Sequence, residues 1–401
     1  MTTTAIPPTS TPAAPGGGEI SKTASYYAAF VVLGMVTASL GATLSDLAAN
    51  TQSLLSEISL LFTARSLGYL LGSFQGGRLY DRIRGHPLMV SVLLIMVGMM
   101  ALAPLMSMLW LLTAILLILG IAEGTLDVGG NTLLVWVHGQ KVGPFMNGLH
   151  FCFGLGAFLS PLIIDQAELL SGDIIWAYWV LGLLILPVAV WILRLPSPTP
   201  QVASRDGSVG QIDDRLVILI ALFFFLYVGA EVSFGGWIVT YAITLDLTNE
   251  TAARILNSAF WGALTIGRLL AIPIAARFRP RTILLGDLIG CLVSLGIILL
   301  WSNSLIATWI GTIGLGLSMA SVFPTTISLA ERRMTITGRV TGWFFVGASA
   351  GAMLLPWLIG QLFVSIGPRV TMSILWIDLV LALLVFGGLI VYSARPTVEY
   401  N

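Results

Sequence analysis

Charge is scarce in this sequence. Asp, Glu, Lys and Arg together make up 9% of its 401 residues, against about 25% in soluble domains, so most of its surface must face something apolar. Its 19 basic and 19 acidic residues cancel, and no basic excess points to nucleic acid as a partner. Only two cysteines occur, Cys152 and Cys291; both stand in apolar stretches, and a disulfide framework is not expected. The first 22 residues lack the charged start and apolar core of a cleavable signal peptide. Rich in Thr, Pro and Gly, they read as a disordered tail. No phosphate loop, metal-ligand cluster or catalytic triad is visible, so neither an enzyme nor a resident metal or cofactor is expected.

What the sequence has in abundance is apolar length. Hydrophobic residues make up 57% of it, and they fall in segments of roughly 20, the length that crosses ~30 Å of hydrocarbon. Spans are expected at 24–46, 56–77, 87–106, 108–135, 144–166, 174–195, 214–242, 252–276, 281–301, 304–329, 338–364 and 370–393. Each must be helical, because lipid cannot satisfy an exposed backbone. The long polar break at 196–213 reads as a linker. It separates a six-helix bundle at 23–195 from a second at 214–393, and 394–401 forms a short tail. The fold class is therefore an all-α membrane protein of twelve transmembrane helices in two bundles, with the lipid bilayer as its surroundings. Nothing in the sequence calls for more than a monomer.

Sidedness follows from Lys and Arg. Fifteen of the 19 fall at the termini or in alternate loops, among them Arg78, Arg82, Arg84, Lys141, Arg277, Arg279, Arg281, Arg332 and Arg333. Arg254 and Arg369 fall on the other side, and Arg65 and Arg268 lie inside spans. Both termini and the linker are expected to be cytoplasmic, in the plasma (inner) membrane of the cell.

The two halves echo each other. GATLS (41–45) answers GAEVS (229–233), and GAFLSPLIIDQ (156–166) answers GAMLLPWLIGQ (351–361). Gly77-Arg78 with Arg82 answers Ala276-Arg277 with Arg281. The similar offsets indicate a parallel duplication of a six-span unit, so the bundles should be pseudo-symmetric. Such repeats are the build of the major facilitator superfamily, whose solute site lies at the midplane between the halves. GRLYDRIRGH (77–86), between spans 2 and 3, resembles the loop signature of that superfamily. The resemblance implies a gating role for Gly77, Asp81 and Arg82, with Asp81 capping a neighbouring helix end and pairing across the halves in the outward-open state.

Ionisable groups at mid-span cost at least ~2.5–3.5 kcal/mol on insertion scales and so mark function. Glu123 and Asp127, four apart on span 4, share a face. Glu231 lies near the middle of span 7, and Asp46 closes span 1 at the outer side. Arg65 lies nearer the outer leaflet than the span 4 pair, so at least one of those two carboxylates should lack a full counter-charge. Two carboxylates four residues apart also repel, and one should hold a proton or share a sodium ion. Asp287 and Asp378 read instead as structural polar contacts. Asn131 shares the Asp127 face, and Asn147 and His150 share a face of span 5. These polar stripes suit a hydroxyl-rich solute in a dry site, although interhelical hydrogen bonding would use the same residues. Among twelve tryptophans, Trp237 and Trp261 can line a pocket or simply pack.

The strings LSDLAANTQSLL (44–55), LDVGGNTLLV (126–135), LHFCFGLGAFLSPLI (149–163), YVGAEVSFGGW (227–237), NSAFWGALTIGRLLAI (257–272) and SVFPTT (321–326) resemble the sodium-dependent glucose transporter 1 family over most of residues 40–360. More distantly, Leu44-Ser45-Asp46, Asp127 with Asn131, and Tyr227-Val-Gly-Ala-Glu231 resemble the fucose–proton symporter group. The resemblance implies a secondary transporter in which Asp46 and Asp127 couple a cation, proton or sodium, to a monosaccharide such as a hexose. Physics adds Glu123 and Glu231 to the coupling set, and a sodium ion, if sodium is used, belongs at Asp127. Asn131, Asn147, His150, Trp237 and Trp261 are the candidate solute ligands. The alternative is a proton-driven exporter of drugs or metabolites. Span 5 reads GLGAFLSP and lacks the Gly-Pro pairing of such exporters.

Overall fold

The computed structural model describes residues 17–198, 213–334 and 338–393. Most of the expected linker and both chain ends lie outside those residues. Among the described residues every regular element is helical. The first bundle comprises α1 Gly17–Ala42, α2 Leu44–Asn50, α3 Leu55–Ile58, α4 Leu60–Tyr80, α5 Gly85–Leu102, α6 Leu109–His138, α7 Gly143–Ser171 and α8 Ile174–Leu193. The second comprises α9 Asp214–Thr244, α10 Glu250–Arg277, α11 Pro280–Leu300, α12 Leu305–Met319, α13 Val322–Glu331, α14 Gly338–Ile366 and α15 Val370–Ser393.

Local chemistry sets many of the boundaries. Asp173, Asp213, Asn249 and Ser304 cap the starts of α8, α9, α10 and α12 by accepting from backbone N–H groups in the first turn. Pro144 and Pro280 occupy first-turn positions of α7 and α11, where a missing N–H costs nothing. Several boundaries depart from expectation, among them the end of α7, which runs to Ser171 rather than 166. Residues 17–22, expected in the tail, already belong to α1. Span 1 stops at Ala42 rather than 46, so Asp46 sits on the separate short helix α2.

Eleven helical stretches are long and apolar enough to cross a membrane, with α12 and α13 forming one of them. The expected span 56–77, observed as α3 and α4, passes only together with α2, across a bend of 114°. That makes twelve. Its hydropathy is low because it carries Arg65 and Arg78, and the Arg65 charge is spent inside the protein rather than against lipid.

The halves are built alike. In the first, α1 packs on α7, α4 on α6 and α5 on α8; in the second, α9 packs on α14, α10 on α12 and α11 on α15. One close crossing is repeated almost atom for atom. A methyl added at Gly156 would collide with the Val31 carbonyl oxygen, and one at Gly351 with that of Phe225. Only glycine lets these backbones approach so closely.

Contacts between the halves run along α1 with α9, α4 with α14, and α7 with α10. Their polar members cluster away from the arginine-rich end. Ser45 meets Thr240 at 3.3 Å, Thr63 donates to Met353 O at 3.1 Å, and Gln361 donates to Ser56 O at 2.7 Å. The molecule is thus closed at the Arg254 end. Toward the arginine-rich end Asp81, Arg82, Asn147 and His150 are exposed.

Candidate functional site

The deepest charges lie where α4 and α6 cross. Gly68 and Gly72 on α4, with Gly120 and Gly124 on α6, bring the two backbones together; a methyl at Gly120 would strike Arg65 O, and one at Gly124 would strike Tyr69 O. Each helix then presents two functional side chains one turn apart, Arg65 and Tyr69 against Glu123 and Asp127. Arg65 Nε donates to Glu123 Oε2 at 2.7 Å, and its Nη2 donates to Oε1 of the same carboxylate. The remaining guanidinium hydrogens reach α1, at Thr37 O (3.0 Å) and Val36 O (2.7 Å). Thr37 Oγ1 also donates to Glu123 at 3.2 Å. The pair is buried and forms a bidentate, hydrogen-bonded knot joining three spans.

One turn along, Asp127 forms no ion pair among the described residues. Tyr69 donates its hydroxyl proton to Oδ2, and Asn131 Nδ2 donates to Oδ1 at 3.0 Å and to the Asp127 carbonyl at 2.8 Å. Among the described residues only neutral donors hold this half-buried carboxylate. The span 4 carboxylate left without a counter-charge is therefore Asp127, and Glu123 is the one that Arg65 neutralises. Tyr69 escaped the sequence reading. Its signal was the matched four-residue spacing of Arg65 and Tyr69 with Glu123 and Asp127.

Asp46 is not brought into this group. It faces Arg254, which the tally of basic residues had placed simply in an outer loop. Arg254 is a buried residue of α10, 4% exposed, and gathers four carboxylates: Glu168 at 2.6 Å, Asp46 at 3.4 Å, and Asp165 and Glu250 at 3.8 Å each. Its Nε also reaches Ala42 O at 3.4 Å. Asp46, Asp165 and Glu168 belong to the first half and Arg254 to the second, so the cluster closes the seam between them. The three-residue spacing of Asp165 and Glu168, facing Arg254 four residues after Glu250, was its only trace in the sequence.

The other expected site residues divide. Glu231 is half-buried beside the Tyr227 hydroxyl, which itself donates to Met319 O at 2.9 Å. No ion pair joins Glu231 to Arg268 among the described residues. Asn147 is exposed, and exposed His150 sets its ring edge-on to Phe30 of α1 at 6.0 Å, close enough to Arg268 of α10 to feel its charge. That places His150 at the seam between the halves, on the open side. Trp237 does not line an opening in this conformation. It is fully buried against Phe62 and Phe363, its Nε1–H spent on Pro356 O at 3.1 Å, because the Gly235-Gly236 backbone lets the first half press against it. Trp261 is also buried, yet its Nε1–H has no hydrogen-bond partner among the described residues. Gly77 is half-buried near the end of α4, and exposed Asp81 forms no ion pair among the described residues. Asp287 accepts from Ser321, a structural contact. Buried Asp378 departs from its expected structural pairing: its Oδ2 has no hydrogen-bond partner.

The Major Facilitator Superfamily model matches residues 26–354. The chain is 36% identical over 360 residues to sodium-dependent glucose transporter 1 of Xenopus laevis, covering 82% of this chain and 73% of that protein. It is 35% identical over 374 residues to the Homo sapiens protein of the same name, covering 84% and 72%. With major facilitator superfamily domain-containing protein 4A of Danio rerio it shares 29% identity over 437 residues, covering 86% and 83%. Two solved structures share the fold at 12% identity and cover 94% of this chain. A mutant of the nucleoside transporter NupG has a TM-score of 0.74 with all of that chain covered. A bacterial homolog of the human lysosomal transporter Spinster, inward-facing and occupied, has 0.77 with 98% covered.

Proposed function

The chain belongs to the major facilitator superfamily, and we propose that this transporter carries a hexose across the membrane in symport with a cation, using Asp127 as the coupling carboxylate. The observation that carries the proposal is the division of labour on α6. Arg65 satisfies Glu123 completely, while Asp127, one turn away, has only Tyr69 and Asn131. A carboxylate inside a bilayer without a counter-charge is costly. A bound proton or sodium ion relieves that cost, and does so best where the site is occluded. Cation binding thereby favours the occluded passage between the two faces, which is the differential interaction that coupling requires.

The solute reading rests on the polar lining and on the names of the relatives. Asn131, Asn147 and His150 supply donors and acceptors along α6 and α7. The relatives named sodium-dependent glucose transporter 1, covered over 73% and 72% of their own length in Xenopus laevis and Homo sapiens, support a sugar over other solutes. On this reading the arginine-rich end is cytoplasmic by the positive-inside rule, the closed Arg254 end is the outer side, both termini lie inside, and a single chain is the transport unit.

Uptake of a panel of labelled hexoses into proteoliposomes, with sodium and pH gradients imposed separately, tests the proposal. Sodium coupling requires accumulation that follows the sodium gradient. Proton coupling requires uptake that rises as external pH falls, without sodium. A sugar whose steady-state gradient ignores both ions makes the protein a uniporter and removes the coupling role from Asp127. No movement of any hexose overturns the sugar assignment.

A further inference from the structure

Among the described residues of the second half several buried polar atoms lack a hydrogen-bond partner, and two of them, on Asn257 and Trp261, stand close together. Asn257 and Trp261 stand one turn apart on α10 and both face Gly235 of α9. The Asn257 amide nitrogen donates to Gly235 O at 2.6 Å, which fixes the orientation of the amide and turns its oxygen away from that bond. Oδ1 is left unpartnered on a residue that is 0% exposed. The Trp261 indole lies over the glycine backbone, so that a Cβ at Gly235 would come within 2.8 Å of Cζ2 and 3.3 Å of Cε2. Its Nε1–H, attached to that same Cε2, is likewise unpartnered and buried. Native proteins seldom leave such groups unsatisfied, because each carries its full desolvation cost.

The outward seal lies against the same stretch of α9 that both residues face. A methyl at Gly41 of α1 would collide with Gly235 O, and one at Gly236 would come within 2.6 Å of the Phe62 ring of α4. Gly41 and Phe62 belong to the first half. Outward opening must carry them away from Gly235-Gly236, and it is this movement that uncovers the ground around Asn257 and Trp261. The Arg254 cluster, one turn before Asn257 on the same helix, is the part of the seal that lies beyond them.

We propose that Asn257 Oδ1 and Trp261 Nε1 form an acceptor–donor pair that receives a hydroxyl-bearing edge of the sugar from the outside, in the outward-open state. A sugar hydroxyl donates to Oδ1 and accepts from Nε1, either through one oxygen or through two neighbouring ones. The pair is satisfied by solute when the outer face is open and is stripped of it when the seal closes. The unpartnered state thus belongs to the inward-open form, and the outer face binds sugar more tightly than the inner. This subsite rests on the sugar reading above and adds to it a ligand set that is specific to one face.

Entry and exit kinetics of the full chain in proteoliposomes test it. Trp261→Phe keeps a ring and removes the N–H; Asn257→Ala removes the acceptor. Each should raise the half-saturation for entry by about tenfold, the weight of one or two lost hydrogen bonds to a neutral group. Half-saturation for exit from the cytoplasmic face should stay within about twofold in the same vesicles, which also reports that the variants are folded. Equal changes on both faces, or none on either, while the wild type carries sugar, would overturn the subsite and leave the transport reading intact. A wild type that carries no sugar overturns both. As a check independent of turnover, a cysteine at position 257, introduced with Cys152→Ser and Cys291→Ala, should react with a membrane-impermeant thiol reagent from outside and be protected by the transported hexose. Reaction that hexose does not slow counts against the pair as a ligand site.

Discussion

Replacing Asp127 by Asn removes a charge while keeping the shape that Tyr69 and Asn131 grip. If Asp127 couples the cation, this variant should lose gradient-driven accumulation yet still exchange labelled for unlabelled sugar across the membrane. Counterflow and accumulation measured on the same vesicles separate the two, and full accumulation by the variant removes Asp127 from the mechanism. Arg65 predicts a different outcome. It is buried, bidentate to Glu123, and bonded to two carbonyls of α1. Arg65→Ala leaves Glu123 charged and unpaired, a defect of about 3–5 kcal/mol. Thermal unfolding in detergent should show a large loss for Arg65→Ala and a partial recovery when Glu123→Leu is added. If the single variant is as stable as wild type, the pair is not the structural knot described above.

At the scale of elements, the α4–α6 crossing decides how well the site is held. Gly124 sits against Tyr69 O with no room for a methyl, so Gly124→Val must push α4 outward. Overpacking of this kind costs about 1–3 kcal/mol, and here it also draws the Tyr69 hydroxyl away from Asp127. The expected result is a transporter that folds less stably and has a weakened apparent affinity for the coupling cation. Gly98→Val on α5, where a Cβ would meet nothing within 4 Å, serves as the control and should leave cation affinity unchanged. Equal behaviour of the two variants would mean that the crossing does not position the carboxylate.

For the whole molecule the governing contact is the outward seal. Among the described residues Arg254 faces three carboxylates of the opposite half, and without it they repel one another and any closure over them. Ser45 and Thr240 face each other across the same seam at 3.3 Å. Paired cysteines there, Ser45→Cys with Thr240→Cys, should form a disulfide under mild oxidation, stop transport, and release it on reduction. Adding Arg254→Gln should slow formation of that bond, because the halves then spend less time closed on this side. Cross-linking that leaves transport unchanged would show that this seam need not open in the cycle.

Hydropathy, the matched strings of the two halves and the distribution of arginine were readable along the chain. They gave the spans, the side that carries the basic loops, and the duplicated six-helix plan that α1 with α7 and α9 with α14 display. The candidate charges Glu123 and Asp127 were also legible, since few ionisable groups are tolerated at mid-span. Their inequality was not. The two share a face, and only the rotation and depth of α4 decide that the guanidinium reaches one and a tyrosine the other. Arg254 was hidden for the same reason: near a span end it looks like a loop anchor until α2, α7 and α10 converge on it. A sequence records which side chains must avoid lipid, because that cost is paid residue by residue. Which partner each one finds depends on the crossing of helices far apart in the chain, and that was decided only when the two bundles closed on each other.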